Sequence, residues 1–176
     1  MPSAKPNKGS NDLKTLHPLI AKEAFGWDPS TVKPGRNKKR LWKCKLNHIW
    51  EADPYNRTGR DKTGGPYCAN KKLLSGFNDL QTRYPKIAKE ANGWDPSKIL
   101  SGSHDKKSWL CKERHDYEAR IIERTAKKRP RGCSYCAGEK VWVGFNDLKT
   151  LFPEIAKEAD GWDPSKLVKG TSKVLS

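Results

Sequence analysis

The chain has 176 residues, 34% of them hydrophobic and 32% charged, which is too little apolar material for one large core. Its 36 Lys and Arg outweigh 20 Asp and Glu by a formal +16, a balance that points to a polyanionic partner and decides nothing about fold. The N-terminus lacks the apolar core of a signal peptide, and no run reaches the roughly 20 apolar residues of a membrane span, so a cytoplasmic chain with no membrane partner is expected.

Residues 1–10 read as a disordered N-terminus. From residue 11 the chain repeats. Asn11-Asp12-Leu13 recurs as Asn78-Asp79-Leu80 and Asn146-Asp147-Leu148, first 67 and then 68 residues on. Ile20-Ala21-Lys22-Glu23-Ala24 and Gly26-Trp27-Asp28-Pro29-Ser30 recur with the same offsets. The spacing predicts repeat 1 over 11–75, repeat 2 over 76–143 and a third, incomplete copy over 144–176.

Each copy opens with a helical leader. Asn78 or Asp79 is a good N-cap before Leu80, and Pro85 suits the first turn of a second helix predicted over 86–91. Leu80, Ile87, Ala88 and Ala91 form its core face. Gly93 ends the helix and Trp94-Asp95-Pro96-Ser97 turns the chain. Strands are predicted over 106–111 and 116–123 around a tight turn, with Trp27, Trp42, Trp94 and Trp109 building a small core. A basic loop over 124–132 leads to Cys133-Ser134-Tyr135-Cys136. The third copy has a leader and no metal-binding half, and the array reads as truncated rather than capped.

Small domains that bury little surface need a metal or disulfides, and in a reducing compartment clustered Cys and His are metal ligands. Cys111-x3-His115 and Cys133-x2-Cys136 supply four ligands of the types zinc takes in structural sites. A redox pair at Cys133 and Cys136, or unmetallated thiols, would leave Cys111 and His115 unexplained. In the first unit Cys44, His48 and Cys68 occupy the matching positions, but Gly65 stands where Cys133 predicts a cysteine. A second zinc there has three readings. Water or a carboxylate such as Asp61 supplies the fourth ligand, the site is weak or empty, or an open position makes it catalytic. His17 and His104 fall outside the repeated ligand positions and read as packing or surface residues.

The pattern of a proline-started leader, Trp-x-Cys, a His-containing turn, an Arg and a paired-cysteine turn resembles the treble-clef, zinc-ribbon-like domain found in tandem arrays in bacterial and viral proteins. Here it reads Trp109-Leu110-Cys111, His115-Asp116-Tyr117, Arg124 and Cys133-Ser134-Tyr135-Cys136, and Trp42-Lys43-Cys44, His48-Ile49-Trp50, Arg57 and Gly65-Pro66-Tyr67-Cys68. The resemblance implies small α+β modules, each with a zinc knuckle, a hairpin and a Cys-x2-Cys opening a helix. Family members fused to endonuclease-like domains imply nucleic-acid work. Gly65, Ser134 and the missing third metal half depart from the pattern.

Residues 33–45 hold seven basic residues and no acid, and residues 120–131 hold six and one. Both flank a hairpin, so the repeat is expected to space similar patches regularly. Arg36, Lys38, Lys39, Arg40 and Arg57, with Arg124, Lys127, Lys128, Arg129 and Arg131, are the candidate phosphate contacts. Trp50, Tyr117 and Tyr67 or Tyr135 are candidate stacking platforms. The resulting expectation is a non-catalytic array binding nucleic acid, above all DNA, with low sequence specificity and no small-molecule substrate. The alternative is a scaffold for a protein partner, with zinc only holding the fold. No P-loop, Ser-His-Asp set or nuclease-type cluster of acids and His points to an enzyme.

Overall fold

A computed structural model describes residues 5–60 and 64–171. The chain forms two compact units, residues 1–74 and 75–176. The second contains both repeat 2 and the third leader.

The leaders are built alike. In the first unit α1 (Leu13–Leu16) and α2 (Pro18–Ala21) follow one another, and in the second α4 (Leu80–Arg83) precedes α5 (Pro85–Ala88). The third copy repeats the pair as α7 (Leu148–Leu151) and α8 (Pro153–Ala156). Four-residue helices cannot stand alone, because nucleation costs more than so few hydrogen bonds return. What holds the first helix of each pair is its cap. Asp79 accepts from Thr82 N at 2.7 Å, from Thr82 Oγ1 at 2.8 Å and from Gly76 N at 2.6 Å, with Gly76 in the left-handed region at φ 80°. Asp12 and Asp147 are bound the same way by Gly9 and Thr15 and by Gly144 and Thr150. The glycine two residues before each repeated Asn is therefore part of the module. Residues 7–10, expected to be disordered, form a turn closed by Asn7 N donating to Asn11 Oδ1 at 2.7 Å.

The second leader helix ends at Ala88, not at 91, because the following residues turn to join the hairpin. Ala91 bridges Trp109, and Leu110 N donates to Glu90 O at 2.8 Å. The hairpins are β1 (Arg40–Lys43) with β2 (Ile49–Ala52), and β3 (Lys106–Leu110) with β4 (Asp116–Arg120), both antiparallel. The fourth strand stops at Arg120, short of the predicted 123. Residues Ile121–Arg124 coil into α6, matching α3 (Pro54–Thr58) in the first unit. Thr125 Oγ1 accounts for this stop, donating to Ile121 O at 3.0 Å and to Ser101 O at 2.8 Å.

Alternation along the first strand of each hairpin sends one tryptophan inward. Trp42 and Trp109 are fully buried, and each donates its indole N–H across the hairpin, to Ala52 O at 2.8 Å and Ala119 O at 3.0 Å. Trp27 and Trp94 meet them edge-on at 5.1 and 5.0 Å, in the geometry aromatic quadrupoles favour. These four indoles do build the core, with Leu13 or Leu80 beneath them.

Candidate metal centre

The knuckle between the strands is set by backbone alone. Cys111 N donates to His115 O at 3.1 Å and Arg114 N to Cys111 O at 2.9 Å, which forces Arg114 to φ 62°. In the first unit Cys44, His48 and Asn47 repeat this with the same bonds and φ 65° at Asn47. The His115 N–H points at Cys111 Sγ, 3.4 Å away. Opposite, Ala137 N donates to Cys133 O at 3.0 Å and Glu139 N to Ser134 O at 2.9 Å, so Cys133 and Cys136 sit on a closed turn. The resemblance implied a helix there, and the chain makes turns instead, with Gly138 at φ 70° redirecting it.

Together the two turns present four donor atoms. His115 Nδ1 lies 3.5, 3.7 and 3.4 Å from the sulfurs of Cys111, Cys133 and Cys136, and Cys111 Sγ lies 3.8 Å from Cys136 Sγ. A zinc tetrahedron with bonds of about 2.3 Å to sulfur and about 2.0 Å to nitrogen has edges of roughly 3.8 and 3.5 Å. The donor set therefore fits zinc as it stands, and as a closed, structural site. Burial, then the neighbouring thiols of Cys133 and Cys111, push the Cys136 thiol up to about 12. Crowded thiolates repel one another unless a dication sits between them.

Around His115 lies an aromatic shell absent from the sequence reading. The rings of Phe145, Trp142 and Tyr135 stand 4.3, 4.7 and 5.7 Å from its imidazole. Trp142 ends the second repeat and Phe145 opens the third copy, and Asn146 pins this junction by donating to Tyr135 O at 2.6 Å and Lys140 O at 2.8 Å. The trailing leader is thus part of the second metal centre. The signal for this in the sequence is that an Asn two residues beyond a glycine recurs, with Phe145 matched by Phe77 in the second copy.

The first unit brings Cys44, His48 and Cys68 within reach of one ion, with Cys44 and Cys68 sulfurs 3.8 Å apart and His48 Nδ1 3.3 Å from Cys68 Sγ. Among the described residues these are three ligands, not four. Asp61 lies outside the described residues. The turn survives without its first cysteine: Ala69 N donates to Gly65 O at 3.1 Å and Lys71 N to Pro66 O at 2.9 Å. A Cβ on Gly65 would meet the Trp50 ring at 3.2 Å, so a cysteine there needs a small shift of that indole. Both clusters fit Zn2+, the second with four ligands and the first with three. His17 and His104 join neither.

The basic candidates divide sharply. Lys127, Lys128, Arg129 and Arg131 are exposed on one loop. Arg36, Lys38 and Arg40 meet Lys5, which the sequence reading missed, around a shallow groove of about 330 Å³. Lys39 is exposed but does not line it. Arg57 and Arg124 are corrections. Both are buried, Arg57 paired with Glu23 and Arg124 with Glu90 at 2.6 Å. The Arg124 guanidinium covers Trp109 and Tyr117 at 5.0 and 5.7 Å, and that of Arg57 covers Trp42 and Trp50 at 4.9 and 5.4 Å. Glu and Arg repeat at one offset, 23 to 90 and 57 to 124, which was the available sign of a structural pair. Trp50 and Tyr117 lie under those arginines and are buried, so neither is a stacking platform. Tyr67 and Tyr135 are half-buried against His48 and His115. The patches are not repeated either, since Arg36 and Lys38 correspond to Ser103 and Asp105 in the second unit.

No helix among the described residues is long and apolar enough to cross a membrane. No curated protein matches the sequence. The family model described as a probable treble clef zinc finger domain matches twice, over residues 21–71 and 87–139, each span running from the second leader helix through the paired-ligand turn. With more than half its length matched and both ligand clusters assembled, the chain belongs to this treble clef zinc finger family.

Proposed function

We propose that the chain is a non-catalytic, zinc-folded tandem array that binds duplex DNA through its phosphates with low sequence specificity, as the targeting part of a larger nuclease or mobile-element system. The observation that carries this is the groove of the first unit, where Lys5, Arg36, Lys38 and Arg40 converge and, among the described residues, no acid lines it. Arg40 Nε is buried there without a hydrogen-bond partner. Such a cluster suits a phosphate, whose neutralisation releases counterions and makes affinity fall with salt. The second unit adds a different cationic element, the exposed loop carrying Lys127, Lys128, Arg129 and Arg131, tethered by Arg124 Nη1 donating to Arg131 O at 3.2 Å. Two weak sites on one chain gain by effective concentration. Low specificity follows from the helices, the longest of which among the described residues has five residues, too short to read base edges along a major groove.

The test is binding of the zinc-loaded protein to labelled duplex and single-stranded DNA and RNA across a salt series, with and without a chelator. Binding is expected to weaken steeply with salt and to vanish on chelation. Arg36→Ala and Lys38→Ala should each weaken all duplexes alike and reduce the salt slope by about 1. Absence of binding at low salt would overturn the proposal in favour of a protein scaffold. A preference above about 10³-fold between unrelated duplexes would overturn low specificity.

A further inference from the structure

The two fingers share one backbone, so each is a control for the surface of the other. On the first, Leu19, Phe25, Leu41, Leu46 and Ile49 are all exposed, Leu19 by 77% and Leu46 by 59%. At the same repeat positions the second carries Lys86, Asn92, Ser108, Glu113 and Asp116. The fold does not require the apolar set. The Phe25 N–H donates to Leu41 O at 3.1 Å, and the Asn92 N–H makes the same bond to Ser108 O at 3.2 Å. One exchange runs the other way, Lys43 for Leu110.

Two of these side chains, Leu19 and Phe25, line one groove, and Leu41 and Ile49 share one strand face. Strand register puts Leu41, Lys43 and Ile49 on the face opposite Trp42 and Trp50. Leu19, Phe25, Lys43 and Asn47 line one open groove of about 550 Å³, with Lys22 and Lys45 also on its walls. Leu46 sits at the knuckle tip between two of these lining residues. Single exposed apolar residues need no explanation, but five on one finger where its sister finger is polar at every matching position do.

The charge around the groove indicates what would cover it. Its cations are Lys22, Lys43 and Lys45, and its one acid, Glu23, is engaged by Arg57. Phosphates would satisfy the lysines, but bases stack on aromatic rings, and Phe25 is the only one among the lining residues. Leu19, Leu46 and Ile49 are aliphatic and suit a protein side chain. We propose that this face of the first finger docks an acidic, amphipathic segment of a partner protein, with aliphatic side chains entering beside Phe25 and carboxylates meeting the three lysines. The site is separate from the phosphate groove and does not depend on it.

The test uses the full zinc-loaded chain as bait for a displayed random-peptide library. The library is counter-selected on a variant carrying Leu19→Lys, Phe25→Asn and Ile49→Asp, residues that the second finger already accommodates. Zinc content and circular dichroism check that the variant folds, and Leu46→Glu alone at the knuckle tip serves as a milder second variant. Enriched peptides should combine acidic with aliphatic residues, bind the native chain about tenfold or more tighter than either variant, and leave duplex DNA affinity unchanged between them. No enrichment over the variants, or peptides that bind all three proteins equally, would overturn the proposal. So would variants that lose DNA affinity with no peptide preference, which would assign the face to nucleic acid.

Discussion

Arg124 shows how one residue can be misplaced by its type alone. A guanidinium near a basic loop invites a phosphate, yet this one is buried, paired with Glu90 and laid over two rings. Burial lowers the pKa of its counterpart Arg57, and the Glu23 carboxylate offsets only part of that. Removing one member of such a pair leaves the other uncompensated. Arg124→Ala should lower unfolding stability by about 2–3 kcal/mol, less than the roughly 3–5 kcal/mol of a fully buried pair because Glu90 keeps some water contact. Denaturant titration of the zinc-loaded protein reads this directly. Unchanged stability with lost DNA binding would return Arg124 to the nucleic-acid interface. Asp79 is the other residue on which a copy depends. Burial would raise its pKa, but the bonds from Thr82 and Gly76 outweigh it and hold the carboxyl below its ordinary value. A carboxyl depressed in the folded state contributes stability above its unfolded pKa of about 3.9 and loses it as pH falls through the folded value. Asp79→Ala should therefore cost about 1–2 kcal/mol at neutral pH and remove that acid-dependent part of the stability. An unchanged acid limb in the variant would count against the cap.

At the scale of elements, the paired-ligand turn is the informative comparison. Residues 65–69 and 133–137 close with the same hydrogen bonds, although one turn begins with glycine and the other with cysteine. The turn is thus a property of the backbone, and the cysteine adds metal affinity to a shape that exists without it. Gly65→Cys should convert the first centre to four protein ligands and slow zinc transfer to a competing chelator by about tenfold or more, in line with what outer-shell changes alone achieve. Native mass spectrometry and chelator kinetics report the two quantities separately. Unchanged release would mean that the fourth position is already filled, with Asp61 as the first residue to substitute. The leader helices carry the complementary lesson. They are too short to persist by propensity; the first of each pair depends on its aspartate cap, and the second opens on a proline without a side-chain cap.

Across the whole molecule, the copies are unequal parts rather than interchangeable beads. The third copy supplies Phe145, and the segment before it Trp142, to the second metal centre. Substituting both by alanine should speed zinc loss from that centre without touching a ligand, measured by chelator-trapped release from the intact chain. Equal rates would show that the aromatic shell only covers the site. Stripping the metal should unfold both fingers, because metal binding supplies folding energy in modules with so small a core. The groove lined by Leu19 and Phe25 lies in the first unit, where the second finger has Lys86 and Asn92, and among the described residues the four-ligand site lies in the second.

Much of this was legible in the sequence because repetition and ligand spacing are local. The offsets fixed the modules, and the cysteine and histidine spacing identified both ligand sets. The caps were narrowed to an Asn or Asp before Leu, of which the Asp caps the helix, and the four tryptophans were read as the core of a small module. Strand ends, the turn in place of a helix after Cys136, and the fate of Arg57 and Arg124 were not legible. Each depends on what a side chain meets across the fold. Charge type does not say whether a guanidinium faces water or a buried carboxylate, and a polar residue's surroundings are set by contacts distant in the chain. The tertiary structure alone decided which cations converge, which rings are covered, and which apolar side chains of the first finger were left outside.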